Sequence, residues 1–147
     1  MIATLPAGPL DIVGDVHGEY EALCQVLASA GYNAAGSHPD GRHLVFVGDL
    51  VDRGPDSPAV VRLVQSLVEQ GRASAILGNH ELNLLRGQQK PGNDWFWGER
   101  THHDERYTPW EYADADDRAE LLAFMSRLPL ALVRDDPRVV HAAWHGP

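Results

Sequence analysis

Three short polar segments carry residues that could bind metal ions and phosphate. We call them loops 1, 2 and 3: Gly-Asp-Val-His-Gly at residues 14–18, Gly-Asp-Leu-Val-Asp-Arg-Gly at 48–54, and Gly-Asn-His-Glu at 78–81. Carboxylate, imidazole and amide groups are ligands for hard or borderline metal ions, and arginine suits phosphate. Together, the loops have the composition of a two-metal phosphoesterase site.

The spacing of the candidate ligands predicts two ions. Asp15 and His17 are two residues apart, so on an extended segment both side chains point to the same side and could bind one ion. Asp49 has two carboxylate oxygens and could bridge that ion to a second one about 3.5 to 4 Å away. Asn79 and His141 could complete the second ion's ligands. This nitrogen and oxygen set suits divalent or trivalent ions such as Mn, Fe, Zn or Co, and the ligand types do not choose among them. We expect Mn, with the other three as alternatives.

The remaining polar residues of loops 2 and 3 suggest a reaction. A metal pair lowers the pKa of bound water toward about 7, so water would be the nucleophile. Arg53 could clamp two phosphate oxygens, and we expect Arg53 and Asn79 to contact the substrate. His80 could protonate the leaving oxygen, with Asp52 orienting its imidazole and holding it cationic. Glu81 is expected to cap or brace its helix rather than bind metal.

The segments around the loops predict strands followed by helices. Each loop follows an apolar run, which indicates a buried strand that ends where the loop begins. The runs lie at residues 10–13, 44–47 and 73–77, and helices are predicted at 19–30, at 59–68 and from 82 to about 87. This βαβαβ order implies parallel strands with right-handed crossovers, and ligands bind at the carboxyl edge of such sheets.

The pattern changes in the second half of the chain. Residues 88–117 do not continue the alternation of strands and helices, and we interpret them as an irregular insertion or lid. Helical spacing returns at 121–128, and apolar runs at 130–133 and 139–143 predict a hairpin that carries His141. Aromatic side chains of the insertion could stack on a nucleobase, but packing of the segment is the stronger interpretation. These side chains are Trp95, Phe96, Trp97, Tyr107 and Trp110.

Composition limits the class of protein. A chain of 147 residues with 44% hydrophobic content suits one α/β domain. The net charge of -9 disfavours extended nucleic acid binding. Cys24 is the only cysteine and suggests packing rather than a disulfide or thiolate metal site. We expect a cytoplasmic protein with no membrane partner, because no basic and apolar leader and no run of about 20 apolar residues is present.

The three loops resemble those of the calcineurin-like metallophosphoesterases, in the phosphoprotein-phosphatase branch of Ser/Thr phosphatases and diadenosine tetraphosphatases. The resemblance covers residues 10–85 closely and extends to 139–141. It implies a β-sandwich flanked by helices, in four layers αββα. It also implies these roles: Asp15, His17 and Asp49 on the first metal; Asp49, Asn79 and His141 on the second; Asp52, Arg53 and His80 as the catalytic and phosphate-contacting set.

One expected ligand is missing from the pattern. The family supplies a further metal-binding histidine from beyond the strand that holds His141, whereas this sequence ends at Pro147. On an extended strand of about 3.3 Å per residue, His145 would lie about 13 Å from His141, so it could replace that ligand only if a turn begins at Trp144. We therefore expect an N-terminal fragment that lacks the C-terminal part of the domain and binds the second metal weakly.

The sequence thus predicts a hydrolase that cleaves phosphate esters or anhydrides with water activated at a dinuclear metal site. Its substrate could be a nucleotide such as a dinucleoside polyphosphate, a phosphoprotein, or a phosphorylated nucleic acid end. Residues 78–85 resemble the diadenosine tetraphosphatases, which favours the nucleotide. The alternative is a catalytically impaired phosphate-binding or interaction module. A structural domain with chance motifs would bind no metal at all.

Overall fold

The computed structural model describes residues 1–98 and 110–143. Its elements are β1 Ile2–Thr4, β2 Leu10–Val13, α1 Tyr20–Ser29, β3 His43–Phe46, α2 Ser57–Glu69, β4 Ala73–Ala75, α3 Asn79–Leu85, α4 Asp94–Trp97, α5 Ala115–Met125, β5 Ala131–Val133 and β6 Arg138–Val140. Among these elements, no helix has the length and apolarity that a membrane span requires.

The strands form two sheets of three. The central sheet has the order β2-β3-β4 with parallel neighbours, which confirms the predicted βαβαβ arrangement. The small sheet has the order β1-β5-β6, in which β5 pairs parallel with β1 and antiparallel with β6. The hairpin of β5 and β6 was predicted. Strand β1 was not, because three residues are too few to show an alternating pattern.

The side chains of β3 show how the layers are stacked. Leu44 and Phe46 belong to a hydrophobic cluster shared with the helices, whereas Val45 belongs to a second cluster with Leu132 and Val139 of the small sheet. Successive strand residues point to opposite faces, so the central sheet lies between the helices and the small sheet. The fold is therefore the expected α/β type, with a two-sheet sandwich flanked by helices.

Helices α2 and α5 begin where a polar side chain binds a free backbone N–H group. Asp56 accepts a hydrogen bond from the backbone N–H of Ala59 at 2.8 Å, so α2 starts two residues before the predicted position. Asp114 binds the N–H of Asp117 in the same way at 2.9 Å, and α5 starts at Ala115 rather than at 121. The first turns of α5 are polar and show no apolar periodicity, which explains why the prediction was late.

Candidate metal centre

Loops 1, 2 and 3 meet at the carboxyl edge of the central sheet through direct backbone contacts. The N–H of His17 donates to the carbonyl of Asp49 at 2.9 Å, and the N–H of Gly54 donates to the carbonyl of His17 at 2.8 Å. A Cβ atom at Gly78 would lie 2.2 Å from Asp49 Oδ1, so only glycine allows loop 3 to approach loop 2 this closely. The loops therefore form one connected unit.

Four residues of this unit have left-handed backbone geometry although they are not glycine. Their φ angles are +48° at His17, +50° at Asp49, +74° at Asp52 and +72° at Arg53. A non-glycine residue in this region costs about 1 to 2 kcal/mol, and such residues concentrate at functional sites. All four are residues for which the sequence predicted a metal-binding or catalytic role.

The buried carboxylate of Glu81 holds the backbone of loop 2 in place. Its Oε2 accepts hydrogen bonds from the N–H groups of Asp49 at 2.9 Å and Gly78 at 2.8 Å. Its Oε1 accepts from Leu50 at 2.8 Å and Val51 at 3.3 Å. Burial raises the pKa of Glu81, but four N–H donors fit only the ionised carboxylate. The sequence predicted that Glu81 would cap or brace α3. The structure shows that Glu81 also binds three backbone N–H groups of loop 2, which the sequence did not predict.

The carboxylate of Asp49 lies between two groups of candidate ligands. Its Oδ2 is 3.9 Å from Nε2 of both His17 and His80, and its Oδ1 is 3.3 Å from Nε2 of His141. Asp15 Oδ2 is also 3.9 Å from Nε2 of His17. Among residues 1–98 and 110–143, the His and carboxylate atoms that lie within 4.8 Å of one another form two sets that share Asp49, one with His17 and His80 and the other with Asp15 and His141.

The imidazole of His141 is oriented by a backbone carbonyl, and its Nε2 atom faces the side-chain oxygens of Asn79 and Asp49. Nδ1 is 2.8 Å from the carbonyl of Val47, which can only accept, so Nδ1 carries the proton. In neutral His141, the lone pair of Nε2 then faces Asn79 Oδ1 at 3.1 Å and Asp49 Oδ1 at 3.3 Å. Two ligands at about 2.1 Å from one ion and at right angles lie about 3 Å apart, so a cation fits among these three atoms.

The imidazole of His17 is held in the same tautomer. Its Nδ1 donates to the carbonyl of Val51 at 3.0 Å, so Nε2 faces the centre as an acceptor. The Nη1 group of Arg53 donates to this Nε2 at 3.0 Å. Fixing the outer nitrogen with a backbone carbonyl is how proteins orient histidine ligands toward a metal.

His80 and Asp52 form a buried pair beside this cluster. His80 Nδ1 donates to Asp52 Oδ2 at 2.6 Å, and Trp95 Nε1 donates to the other oxygen, Oδ1, at 2.8 Å. Asp52 raises the pKa of His80, mainly through this hydrogen bond, and burial raises the pKa of Asp52. Arg53 Nη2 lies 3.3 Å from His80 Nε2. The sequence assigned no role to Trp95 beyond packing or stacking.

The described aromatic residues of the 88–117 segment are mostly packed inside the protein. Trp95, Phe96 and Trp110 expose 0%, 3% and 7% of their surface, so their rings pack in the core, as the stronger interpretation held. Trp97 is half-buried. Tyr107 lies outside the described residues, as do Trp144 and His145, the two residues considered for the missing ligand.

Comparison with known proteins agrees with this geometry. The family model of the calcineurin-like phosphoesterases matches residues 8–146. The bis(5'-nucleosyl)-tetraphosphatase PrpE (asymmetrical) of Anoxybacillus flavithermus is 36% identical over 92% of this chain and 58% of its own. A symmetrical bis(5'-nucleosyl)-tetraphosphatase of Janthinobacterium sp. is 44% identical over 67% of this chain and 32% of its own. The chain thus spans about a third to three fifths of these relatives.

A solved structure supports the same fold. The protein serine/threonine phosphatase from Saccharomyces cerevisiae matches with a TM-score of 0.57 and 22% identity. The match covers 84% of this chain and 34% of that one. At this identity, the likeness concerns the arrangement of the strands and helices.

Proposed function

The chain belongs to the calcineurin-like phosphoesterase family, and we propose that it is a metal-dependent hydrolase of phosphate esters or anhydrides with a dinuclear site. The observation that carries the proposal is the position of Asp49 between two sets of ligands. On one side, His141 Nε2 lies 3.1 Å from Asn79 Oδ1 and 3.3 Å from Asp49 Oδ1, and in the neutral form of His141 all three atoms are acceptors. Acceptors that face one another in this way are satisfied by a cation.

We assign one ion to Asp15, His17 and Asp49, because Asp15 Oδ2 and Asp49 Oδ2 each lie 3.9 Å from His17 Nε2, and the second to Asp49, Asn79 and His141. This assignment differs from the grouping by distance among acidic and histidine side chains alone, which places Asp15 with His141 and His17 with His80. The mixture of carboxylate, amide and imidazole ligands fits Mn, Fe, Zn or Co, and we propose Mn. When bound, such a pair polarises a phosphoryl group and makes hydroxide available near neutral pH.

The chain's own side chains would bind the phosphate and move the proton. The guanidinium of Arg53 lies between His17 and His80, at 3.0 and 3.3 Å from their Nε2 atoms, where its fork can bind phosphate oxygens. The Nδ1 proton of His80 is engaged by Asp52, so protonated His80 holds its transferable proton at Nε2. Asp52 favours this protonated state, which suits His80 to protonate the leaving oxygen. Asn79 would contact both the ion and the substrate.

For the substrate, we propose a dinucleoside polyphosphate. Two relatives that match at 36% and 44% identity are bis(5'-nucleosyl)-tetraphosphatases, which supports a nucleotide over a phosphoprotein or a nucleic acid end. The net charge of -9 argues against a long nucleic acid, because phosphate contacts dominate such binding. A cytoplasmic location would suit a nucleotide substrate.

Hydrolysis with added Mn tests this proposal. Cleavage of diadenosine tetraphosphate into two nucleotides and release of p-nitrophenol from p-nitrophenyl phosphate would be compared in wild type and Asp49→Asn, with bound metal measured by elemental analysis. Loss of an outer partner of a metal ligand costs about 10- to 100-fold, so loss of the bridging carboxylate should lower kcat by more than about 100-fold. The exposed Asp135→Asn is the matched control.

The possible results separate the alternatives. Two metals per chain, with turnover that only Asp49→Asn abolishes, would support the proposal. Bound metal without turnover would indicate a catalytically impaired phosphate-binding module. A chain that binds no metal would refute the dinuclear site. Preference for the aryl phosphate over the dinucleotide would contradict the substrate assignment alone.

A further inference from the structure

We propose that Trp95 is a positioning residue for proton transfer, because its indole N–H fixes the carboxylate that orients His80. This inference rests on the proposed function, since it concerns the proton that His80 would give to the leaving oxygen. It assigns a specific role to one residue of the 88–117 segment.

The contacts of Asp52 use both carboxylate oxygens. Oδ1 accepts from Trp95 Nε1 at 2.8 Å, and Oδ2 accepts from His80 Nδ1 at 2.6 Å. Trp95 and Asp52 both have 0% of their surface exposed, so water cannot reach Oδ1 to replace the indole donor. The backbone of Asp52 is held separately, because its N–H donates to Ser57 Oγ at 2.9 Å. The indole thus determines how the carboxylate is rotated.

The segment that carries Trp95 is tied to loop 2 and to α5. Arg53 donates its N–H to the carbonyl of Gly92 at 2.9 Å. Arg118 of α5 donates to the carbonyls of Phe96 and Trp97 at 3.3 and 3.2 Å, at the end of α4. The backbone on both sides of Trp95 is therefore held by hydrogen bonds that do not involve the indole N–H. This arrangement is expected of a rigid donor rather than of a side chain that fills space.

Removing the donor should affect one step of the reaction. With phenylalanine at position 95, a smaller aromatic ring still packs in the core, but Asp52 Oδ1 loses the indole donor and the carboxylate can turn away from His80. An acidic leaving group such as p-nitrophenol departs without a proton, whereas an alkoxide needs one. A positioning role therefore predicts a selective loss with poor leaving groups, while general loss of structure would slow all substrates alike.

The experiment compares Trp95→Phe with Trp97→Phe. Trp97 also donates its indole N–H, at 3.1 Å, but the acceptor is Asn93 Oδ1 rather than Asp52. In Trp95→Phe, kcat for glycerol 2-phosphate should fall about 10-fold or more, as for other outer-shell partners, and kcat for p-nitrophenyl phosphate by less than about 3-fold. KM should stay within about 2-fold, and Trp97→Phe should leave the ratio of the two kcat values unchanged. Equal losses with both substrates would overturn the proposal.

A second measurement does not need turnover. In NMR spectra, the proton on His80 Nδ1 should resonate far downfield because it is bound to a carboxylate, and it can be assigned by its loss in His80→Ala. We expect this resonance to shift or broaden in Trp95→Phe and to stay in place in Trp97→Phe, with circular dichroism confirming that both variants fold. An unchanged resonance in Trp95→Phe would overturn the positioning role. If wild type hydrolyses neither monoester, this resonance alone decides the role of Trp95, and the proposed function fails only if diadenosine tetraphosphate is not cleaved either.

Discussion

Replacing Glu81 by glutamine should lower the free energy of unfolding by about 3 to 6 kcal/mol. Each oxygen of this buried carboxylate accepts two backbone N–H groups, from Asp49 and Gly78 on one side and from Leu50 and Val51 on the other. Glutamine retains one acceptor and places an NH₂ group where the other oxygen was. Whichever way the amide turns, two N–H groups lose a charged acceptor worth about 1.5 to 3 kcal/mol each.

Urea unfolding in EDTA measures this loss without any contribution from bound metal. Glu69→Gln is the matched control, because this carboxylate is 56% exposed and binds Gln65 Nε2 at 2.8 Å on the helix surface. A surface substitution of this kind should change the free energy of unfolding by less than about 0.5 kcal/mol. If Glu81→Gln lies within about 1 kcal/mol of wild type, the N–H contacts of Glu81 contribute far less than the geometry indicates.

The same variant should also bind metal more weakly. Two of the N–H groups that Glu81 binds belong to Asp49 and its neighbour Leu50, so their release lets the bridging carboxylate move. We expect Mn affinity, measured by isothermal titration on protein that is still folded, to fall about 10-fold or more, as when other outer partners of a ligand are lost. Unchanged affinity would mean that Glu81 stabilises the fold without shaping the site.

Two further predictions concern loop geometry and proton binding. Gly54→Ala should clearly lower the melting temperature, because its Cβ would lie 2.2 Å from the carbonyl oxygen of His17. The control Gly14→Ala should be tolerated, because its Cβ would meet no atom within 4 Å. Equal losses in thermal melts would contradict this prediction. Asp52→Asn should lower the pKa of His80, because the Asp52 carboxylate is the main cause of its raised value. The raised pKa of His80 stabilises the fold fully below the pKa of the unfolded chain, about 6.5, and this stabilisation is lost as pH rises through the pKa of the folded state. The difference in free energy of unfolding between metal-free wild type and Asp52→Asn should therefore shrink in that pH range. An NMR titration in which the pKa of His80 is the same in both proteins would refute this prediction.

The sequence was sufficient to predict the central sheet and where the site would form. Strand β2 has the predicted bounds, Leu10–Val13, and the three loops lie at the carboxyl edge as expected. The reason is physical: strands of a parallel sheet are mostly apolar, as in the buried β3 and, with one acidic residue, in the edge strand β2, and a loop after each strand must lie at the same edge. Local patterns therefore predict which residues are neighbours even when they are 30 or more positions apart.

Local patterns could not predict contacts that depend on packing in three dimensions. The hydrogen bond from Trp95 to Asp52 joins residues 43 positions apart, and Trp95 lies in a segment without periodicity. Strand β1 is stabilised by pairing with β5, which follows it by more than a hundred residues. A Glu three residues after Gly78 did signal a brace for α3, but nothing in its spacing indicated the N–H groups of loop 2.

The contacts of loop 2 explain how an unfavourable backbone can be a stable part of this fold. Four non-glycine residues with positive φ cost about 1 to 2 kcal/mol each, or about 4 to 8 kcal/mol together. The four hydrogen bonds to the buried Glu81 carboxylate contribute about 1.5 to 3 kcal/mol each, or about 6 to 12 kcal/mol. The two terms are of similar size and opposite sign, and Asp49 belongs to both sets of residues. The fold therefore holds Asp49 in its bridging position through its own contacts, so that binding a cation there requires little further ordering of the chain.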